Sequence, residues 1–324
     1  MTDLQLSRFP LEILEIIINF VPRSELYRLN GIEYLETLVL HSLYSSVRIT
    51  SRVPYYYGMS ETPVSHTVRH VLATGAIPEF SCFKELIDFL EENRLPFPKY
   101  VNFLHPIDII LAYESDPSIL EDCIIETDLK SPFSSDAYSL ELREFYLQRL
   151  ISLPLKIRYV KNCGIIHEII PESSFQFTRK LKTASFNNEF PLESFFGDNR
   201  YQNLINLYLS FKISHEAVTL IPRSVKKLNC EVVYPGFQVE ELGFPRGLRS
   251  LSLTLCNFPE QYCLNFSNLE RLVKLEFDGM RDNELTTFYN FSFPKSLKQV
   301  KSFALAMEVI KNQCPGLTSL ECKR

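Results

Sequence analysis

The chain has 324 residues, of which 45% are hydrophobic and 23% charged, and its formal net charge at pH 7 is −5. This length predicts two domains or one elongated repeat array, and the apolar content excludes disorder along the whole chain. The acidic balance lacks the basic footprint of nonspecific nucleic-acid binding, so nucleic acid is not expected as a partner.

The eight cysteines form no CxxC pair, and the opening residues MTDLQLSR do not resemble the cationic start of a signal peptide. Reduced thiols are therefore expected, together with a location in the cytoplasm or the nucleus. A disulfide framework is the alternative.

The first predicted helix lies in the segment RFPLEILEIIINFVPRSEL, residues 8–26. Between Ile13 and Val21 only two residues are polar, so the helix would be apolar around almost its whole circumference and must be buried. Its longest uninterrupted apolar run is three residues, which is too short for a membrane span. Pro10 suits the first turn of this helix and Pro22 ends it.

Two further short helices are predicted, one from about Ser24 to Leu29 and one from Tyr34 to Leu43. A unit of about 45 residues is smaller than most cores that are stable unaided. We therefore expect a partner, or the rest of the chain, to cover the remaining apolar surface of the first helix.

Residues 47–160 predict alternating strands and helices. Four segments are typical of strands: SSVRIT, HTVRHV, KYVNFL and LKIRYV. A helix is predicted over SCFKELIDFLEENR, with Ser81 as its N-cap and with Phe83, Leu86, Ile87 and Leu90 on one face. Two more helices are predicted, one that starts at Pro117 after Asp116 and one over Leu140 to Leu150. This region is interpreted as the irregular beginning of the repeat array that follows, and not as a separate catalytic domain.

Seven later segments share a pattern in which one apolar residue is followed by others three and five positions on. They are LKTASF at Leu181, LINLYL at Leu204, VKKLNC at Val225, LRSLSL at Leu248, LVKLEF at Leu272, LKQVKS at Leu297 and LTSLEC at Leu317. Successive first positions are 20 to 25 residues apart, which is the period of leucine-rich repeats. The fourth and sixth positions alternate like a strand with one buried face. An ordinary α/β domain with leucine-rich strands is the alternative.

The predicted fold class is thus α/β, in three parts. Residues 1–46 form three helices, residues 47–160 form an irregular strand and helix region of early degenerate repeats, and residues 161–324 form a degenerate leucine-rich-repeat solenoid. Its curved parallel sheet would have short helices or irregular arcs on the convex side.

No enzyme motif is present: the chain has no glycine-rich phosphate loop, no GxSxG and no HExxH. We therefore expect a protein that is not an enzyme and needs no cofactor. His66 and His70 are four residues apart and could share a helix face as metal ligands, but no third ligand is near, and a solvated or capping pair is the alternative.

Basic residues recur at equivalent positions of the repeats. They are Lys182, Lys226, Arg249 and Lys298 at the second position, Lys227 and Lys274 at the third, and Lys301 at the fifth. Stacked repeats would align them as a stripe on the concave side, where charge-assisted hydrogen bonds would hold an acidic or phosphorylated segment of a substrate. A solvated, lysine-rich strand face is the alternative, because Glu231, Glu276, Asp278 and Glu321 dilute the stripe.

The N-terminal segment resembles an F-box. Its matching residues are Phe9-Pro10, Glu12-Ile13-Leu14, Ile17-Ile18, Phe20-Val21-Pro22 and Glu25-Leu26, at the spacing of the family pattern. The resemblance covers about 40 residues, fades after Leu29, and lacks a clear counterpart of the family's later Val-Ser/Cys motif. With the repeats, the whole chain resembles an F-box/leucine-rich-repeat protein of the fungal type.

The resemblance implies that the helices dock on the Skp-type adaptor of a Skp-cullin-F-box ubiquitin ligase and that the repeats bind the protein to be ubiquitinated. By position, the adaptor-facing residues would be Phe9, Pro10, Ile13, Leu14, Ile17 and Leu26. Two other functions stay open. The chain could be a non-ligase F-box scaffold in a kinetochore-like assembly, or a leucine-rich-repeat binding module whose N-terminal helices only cap the array.

Overall fold

The structure, a computed structural model, describes residues 9–29, 32, 34–50, 71, 74–130, 139–170, 175–187, 192–196, 200–233, 242–256, 264–278, 291–302 and 307–322. The chain divides into two compact units, Met1–Ile157 and Arg158–Arg324. Both are α/β, with parallel strands and short helices. Residues 1–46 and nearly all of the predicted region 47–160 belong to the first unit.

Helices and strands alternate in the first unit after three N-terminal helices. Its described helices are α1 (Leu11–Phe20), α2 (Arg23–Leu26), α3 (Glu36–Tyr44), α4 (Phe83–Glu92), α5 (Pro106–Ser115), α6 (Pro117–Leu120) and α7 (Leu140–Ser152). Its strands are β1 (Ser46–Ile49), β2 (Glu79–Phe80), β3 (Tyr100–Phe103) and β4 (Ile124–Asp128). They pair in parallel in the order β2, β1, β3, β4.

The three N-terminal helices agree with the sequence pattern. The carbonyl of Pro10 accepts hydrogen bonds from the backbone N–H groups of Ile13 and Leu14, at 3.0 and 3.1 Å, and so starts α1. The helix ends two residues before Pro22, which cannot continue it. The predicted strands SSVRIT and KYVNFL are also confirmed, as β1 and β3, whereas HTVRHV lies outside the described residues except for its last residue.

One predicted helix start is displaced by a residue. The N-cap of α4 is Cys82, whose sulfur accepts the Glu85 N–H at 3.5 Å, and not Ser81. Ser81 instead donates its backbone N–H and its hydroxyl to the Glu85 carboxylate, at 2.6 and 2.5 Å. The reciprocal pattern resembles a capping box, with the two polar groups supplied by neighbouring residues.

The second unit is a ladder of parallel strands. Its strands are β5 (Ile157–Lys161), which begins at the boundary, β6 (Thr183–Phe186), β7 (Asn206–Ser214), β8 (Lys227–Val233), β9 (Ser250–Cys256), β10 (Leu264–Asn265), β11 (Lys274–Asp278), β12 (Phe291–Ser292), β13 (Gln299–Ser302) and β14 (Ser319–Cys322). The pair β10 and β12 is a separate small sheet, and the others follow chain order within the unit. Its described helices are α8 (Gly164–Ile169), α9 (Phe175–Thr178), α10 (Leu192–Phe196) and α11 (Met307–Gln313).

Each predicted repeat segment leads into one of these strands, and its apolar positions are the core. The fully or nearly fully buried first, fourth and sixth positions are Leu181, Ala184 and Phe186; Leu204, Leu207 and Leu209; Val225, Leu228 and Cys230; Leu248, Leu251 and Leu253; Leu272, Leu275 and Phe277; and Leu297 and Val300. The alternation predicted from sequence is therefore confirmed over six segments, while the first and fourth positions of the last are half-buried.

The same turn precedes every one of the seven segments. The N–H of each first residue donates to the carbonyl three positions earlier: Leu181 to Thr178, Leu204 to Tyr201, Val225 to Pro222, Leu248 to Pro245, Leu272 to Leu269, Leu297 to Pro294 and Leu317 to Cys314, at 2.8 to 3.2 Å. Proline is compatible with this position, because the turn uses only the carbonyl of the residue there, as a hydrogen-bond acceptor, and does not require its N–H.

The ladder has one irregularity. Tyr208 pairs with Asn229 and Lys212 pairs with Glu231, so three residues of β7 lie opposite a single residue of β8. Such a bulge bends a strand locally and raises its twist.

Candidate functional site

The helix α1 has two apolar faces. Leu14, of which 5% is exposed, and Ile18 are buried on the inner face, where α1 packs on α3. The outer face of α1 consists of Ile13, Ile16, Ile17 and Phe20, which are exposed and spaced at i, i+3, i+4 and i+7. That spacing places them on one side of a helix, so they form a continuous apolar strip.

Further apolar residues are exposed at the ends of the helix. Phe9 and Pro10 are exposed just before it, Leu11 is 63% exposed although its spacing places it on the side of Leu14 and Ile18, and Phe20 at the other end is 83% exposed. Charged and amide side chains take up only the narrow sector between the two faces. An unbroken apolar surface of this kind on a helix marks a site of protein interaction.

The structure separates the six residues expected to face an adaptor. Phe9, Pro10, Ile13 and Ile17 lie on the exposed surface, whereas Leu14 and Leu26 are buried inside the first unit and support the helix from behind. Sequence reasoning missed Ile16 and Phe20, which share the helical spacing of Ile13 and Ile17. Following the 3.6-residue period from Ile13 would have found both.

The N-terminal helices are joined to the rest of the first unit through Arg23 in α2. Its guanidinium donates hydrogen bonds to the carbonyls of Gly75, Ala76 and Leu43, at 2.9, 2.9 and 2.5 Å. Partial burial lowers the pKa of Arg23. Gly75 has φ of +64° and lies so close to the Arg23 carbonyl that a Cβ would be 3.0 Å from it, so glycine is favoured there on both counts.

A second contact comes from α3, where the ring of Tyr44 stacks on Phe89 of α4, with 5.2 Å between ring centroids. The inner side of the helical segment is therefore held by polar and aromatic contacts with the following chain. The outer face of α1 contributes to none of these contacts.

The second unit carries a column of aligned residues just before its strands. We call the second position of each repeat, with its counterpart in β5, the leading column: Arg158, Lys182, Ile205, Lys226, Arg249, Val273, Lys298 and Thr318. From Lys182 to Lys298, each carbonyl of the column accepts the N–H groups of the second and third residues of the next repeat, at 2.7 to 3.0 Å. These bonds set neighbouring members one strand spacing apart, about 4.8 Å.

Arg158 is a member of the column that the repeat pattern in the sequence does not include. Its carbonyl accepts the N–H of Lys182 at 2.9 Å. The segment has apolar residues at its first and fourth positions, Ile157 and Val160, but Asn162 at its sixth, so it did not match the full pattern.

The predicted basic residues fall in different places on this surface. Lys182, Lys226, Arg249 and Lys298 lie in the leading column, and Lys227 and Lys274 lie one residue further along their strands. The Nζ of Lys227 is 5.4 Å from the centroid of the Tyr208 ring. Lys301 lies further into the sheet with its Nζ 3.9 Å from the Glu321 carboxylate, so the structure does not bring it into the column.

The carboxylates that dilute the stripe in the sequence are also further into the sheet. Glu276 and Glu321 occupy the fifth position of their repeats and Glu231 the seventh, whereas the second and third positions contain no acidic residue. The Glu231 carboxylate lies 3.8 Å from the Nζ of Lys212. Apart from Lys301 at the fifth position, the basic residues of the stripe and these carboxylates therefore occupy different columns of the same surface.

Thiol chemistry has no support among the described cysteines. Glu231 does lie beside Cys256, whose thiol donates to it at 2.7 Å, but burial and this carboxylate raise the pKa of the thiol. Burial also raises the pKa of Cys123 to about 12 and that of Cys230 still further. Six cysteines in the described ranges are free thiols, and these three are held in the unreactive protonated form.

The described residues offer neither a metal site nor a membrane-spanning helix. His66 and His70 lie outside them, and the described residues contain no group of three potential metal ligands. None of the helices in the described ranges is long and apolar enough to cross a membrane.

Comparison with known proteins adds no identification, because neither a family model nor a curated protein matches this chain.

Proposed function

We propose that this chain is the substrate receptor of a Skp-cullin-F-box ubiquitin ligase. In this proposal residues 1–46 are an F-box that docks on the Skp-type adaptor, and the strand ladder of the second unit is a leucine-rich-repeat solenoid that binds the protein to be ubiquitinated. The observation that carries the proposal is the exposed apolar outer face of α1.

The position of that face on the helix supports docking. Burial of side chains such as Ile13 and Ile17 would contribute roughly 1.5 to 3 kcal/mol each. A helix that only capped the repeats would use its apolar residues internally, as Leu14 and Ile18 do. Capping therefore accounts for the inner face of α1 and leaves the outer face without a role.

The arrangement of the second unit supports its share of the proposal. Seven segments with one period and one turn, six of them with the same buried pattern, build a parallel ladder, as expected of leucine-rich repeats. A receptor of this kind is not a catalyst. It raises the effective concentration of a bound protein near a ubiquitin-loaded enzyme.

Affinity purification of the tagged full chain, with detection of the adaptor and the cullin, tests this function. Adaptor together with cullin is the expected result for a receptor. Adaptor without cullin would favour the scaffold, and neither would favour the capped binding module.

A double variant tests the surface itself. Ile13→Glu with Ile17→Glu should weaken adaptor binding about 100-fold or more, because two buried apolar contacts become charged. The matched control is Leu111→Glu with Phe145→Glu, which charges exposed apolar positions of α5 and α7 in the same unit and should bind like the native chain.

Both variants change exposed residues, so unchanged thermal melting is expected for each and would show that folding is intact. Retained adaptor binding by the Ile13 and Ile17 variant would overturn the F-box assignment. Leu14 is unsuitable for this test, because a charge at a buried position would unfold the unit whatever the helix binds.

A further inference from the structure

The leading column alternates between basic and apolar side chains. In strand order its members are basic at Arg158 and Lys182, apolar at Ile205, basic at Lys226 and Arg249, apolar at Val273 and basic at Lys298, and the last member, Thr318, is polar and uncharged. Ile205 is 40% exposed and Val273 is 37% exposed, although both belong to the residue types most often found in cores. The column therefore presents two apolar side chains among its basic members.

Among the described residues, the basic members of the column have no ion-pair partner. In the part of the chain that the structure describes, no ion pair joins a carboxylate to any of the five basic residues of the column. The next position along each strand adds Lys227 and Lys274 and no carboxylate. The column is therefore a line of available positive charge in a protein whose net charge is −5.

The spacing of the column matches an extended peptide that lies along it, across the strands. Six steps of about 4.8 Å separate Arg158 from Lys298, about 29 Å in all, which is the length of about nine extended residues. Ile205 and Val273 are three steps apart, about 14 Å, which is the span of about four extended residues.

Alternate side chains of an extended peptide point the same way, about 6.8 Å apart. If one apolar side chain lies on Ile205, the side chain four residues later lies on Val273. The peptide side chain midway between these two apolar side chains then lies between Lys226 and Arg249. The peptide side chain two residues before the first apolar one lies near Lys182, and the side chain two residues after the second apolar one lies near Lys298. The complementary order is acidic, apolar, acidic, apolar, acidic at every second residue.

We propose that the leading column binds an extended protein segment of this pattern. Every second residue of the segment faces the column, in the order acidic, apolar, acidic, apolar, acidic, so that its two apolar side chains are four residues apart. The acidic group is a carboxylate or a phosphate, since lysine and arginine donate charge-assisted hydrogen bonds to both. The identification of the bound segment as part of a protein to be ubiquitinated rests on the proposed function. The binding of such a segment to the leading column does not depend on that function.

The same features disfavour nucleic acid as the occupant. A phosphate backbone would gain nothing from Ile205 and Val273. Stacking of bases needs free aromatic faces, and Tyr208 at the fifth position is already approached by Lys227.

The test is fluorescence anisotropy with the full chain and labelled nine-residue peptides. The first probe is Asp-Ser-Leu-Ser-Asp-Ser-Leu-Ser-Asp, and the second has phosphoserine in place of the central Asp. Saturable binding of either probe is expected, and the tighter of the two identifies the preferred anion. Failure of both to bind below about 1 mM would overturn the proposal.

Peptide controls separate this pattern from plain charge attraction. Replacing both Leu residues by Ser should weaken binding about tenfold or more, because the contacts with Ile205 and Val273 are lost. Unchanged binding of the Ser peptide, or tighter binding of polyuridylate than of either probe, would contradict the inference.

Protein variants locate the site. Lys226→Glu with Arg249→Glu should weaken peptide binding at least about tenfold, whereas Lys226→Arg with Arg249→Lys should retain it. The matched control, Lys84→Glu with Lys311→Glu, reverses two exposed charges outside the column and should bind normally. Native-like melting of the Glu variant excludes loss by unfolding, and normal peptide binding by a folded Glu variant would overturn the site.

Adaptor capture measured on the same samples keeps the two proposals apart. Peptide binding without adaptor capture would leave this inference standing and remove the proposed function. Adaptor capture without peptide binding would do the reverse.

Discussion

At the scale of single residues, the second unit contains one buried histidine. The Nε2 of His167 is 2.8 Å from the hydroxyl oxygen of Tyr201, and both side chains are buried. Burial, with a smaller contribution from the charge of Arg200, lowers the pKa of His167 from its ordinary 6.5 to about 4. The neutral imidazole is therefore the form that belongs to the folded unit.

This histidine predicts a loss of stability in mild acid. Between pH 6.5 and about 4 the unfolded chain binds a proton that the folded chain does not, so stability falls as the pH falls through this window. Lowering the pH from 7 to 5 should cost about 2 kcal/mol of unfolding free energy from this group. Urea unfolding of the second unit at the two pH values measures it.

His167→Gln supplies the comparison for that measurement. The amide can hydrogen-bond to Tyr201 but does not titrate, so the variant should lose about 2 kcal/mol less between pH 7 and pH 5 than the native chain. An equal loss in both proteins would contradict the assignment to His167.

At the scale of elements, the strands of the second unit are defined by what precedes them. A turn closes on the first apolar residue, and the following positions alternate between core and surface. The side chain of Leu251 in β9 is fully buried, and its register partners are Leu228 in β8 and Leu275 in β11. The apolar residues of neighbouring strands thus form the layers that hold the ladder together.

Shortening one member of such a layer should be costly. Leu251→Ala should destabilise the second unit by about 2 to 5 kcal/mol, because a buried side chain is lost and a cavity remains. Ser252→Ala on the same strand is the matched control and should change the free energy by about 0.5 kcal/mol or less. Denaturant titration of both variants checks the difference, and a similar small effect of both would contradict the buried layer.

At the scale of the whole molecule, the two interaction surfaces belong to different compact units. The outer face of α1 lies in Met1–Ile157, and the leading column lies in Arg158–Arg324. A ligand that binds only the native form of one unit stabilises that unit by mass action.

Adaptor binding should therefore be visible as selective stabilisation. With free adaptor at about 100 times its Kd, the slowest-exchanging amides of α3 should gain about 2.7 kcal/mol of protection. Those of β8 and β9 should gain none. Hydrogen exchange with mass spectrometry measures both sets, and equal gains in the two would show that the units unfold together.

Local patterns in the sequence were sufficient for much of the fold. The period and alternation of the repeats located the strands from β6 to β14 that form the ladder, and the flanking prolines located α1. These predictions succeeded because turns, helix ends and strand alternation depend on residues close together in the chain. The N-cap of α4 was displaced by one residue, since either Ser81 or Cys82 can offer a polar side chain at that point.

The candidate sites depended more on the tertiary structure. From its sequence, α1 is apolar nearly all round, and only its packing on α3 separates the buried Leu14 from the exposed Ile16 and Phe20. The choice of inner face is made by residues distant in the chain, so no local pattern contains it.

The basic stripe shows the same division. The sequence by itself determined that basic residues recur at one position of the repeats, because that recurrence is a matter of period. Only the tertiary structure decided that Lys301 pairs with Glu321, that Arg158 joins the column, and that the carboxylates lie further into the sheet. The physical reason is that charges act through distances in space, which the register of neighbouring strands sets and the order of residues does not.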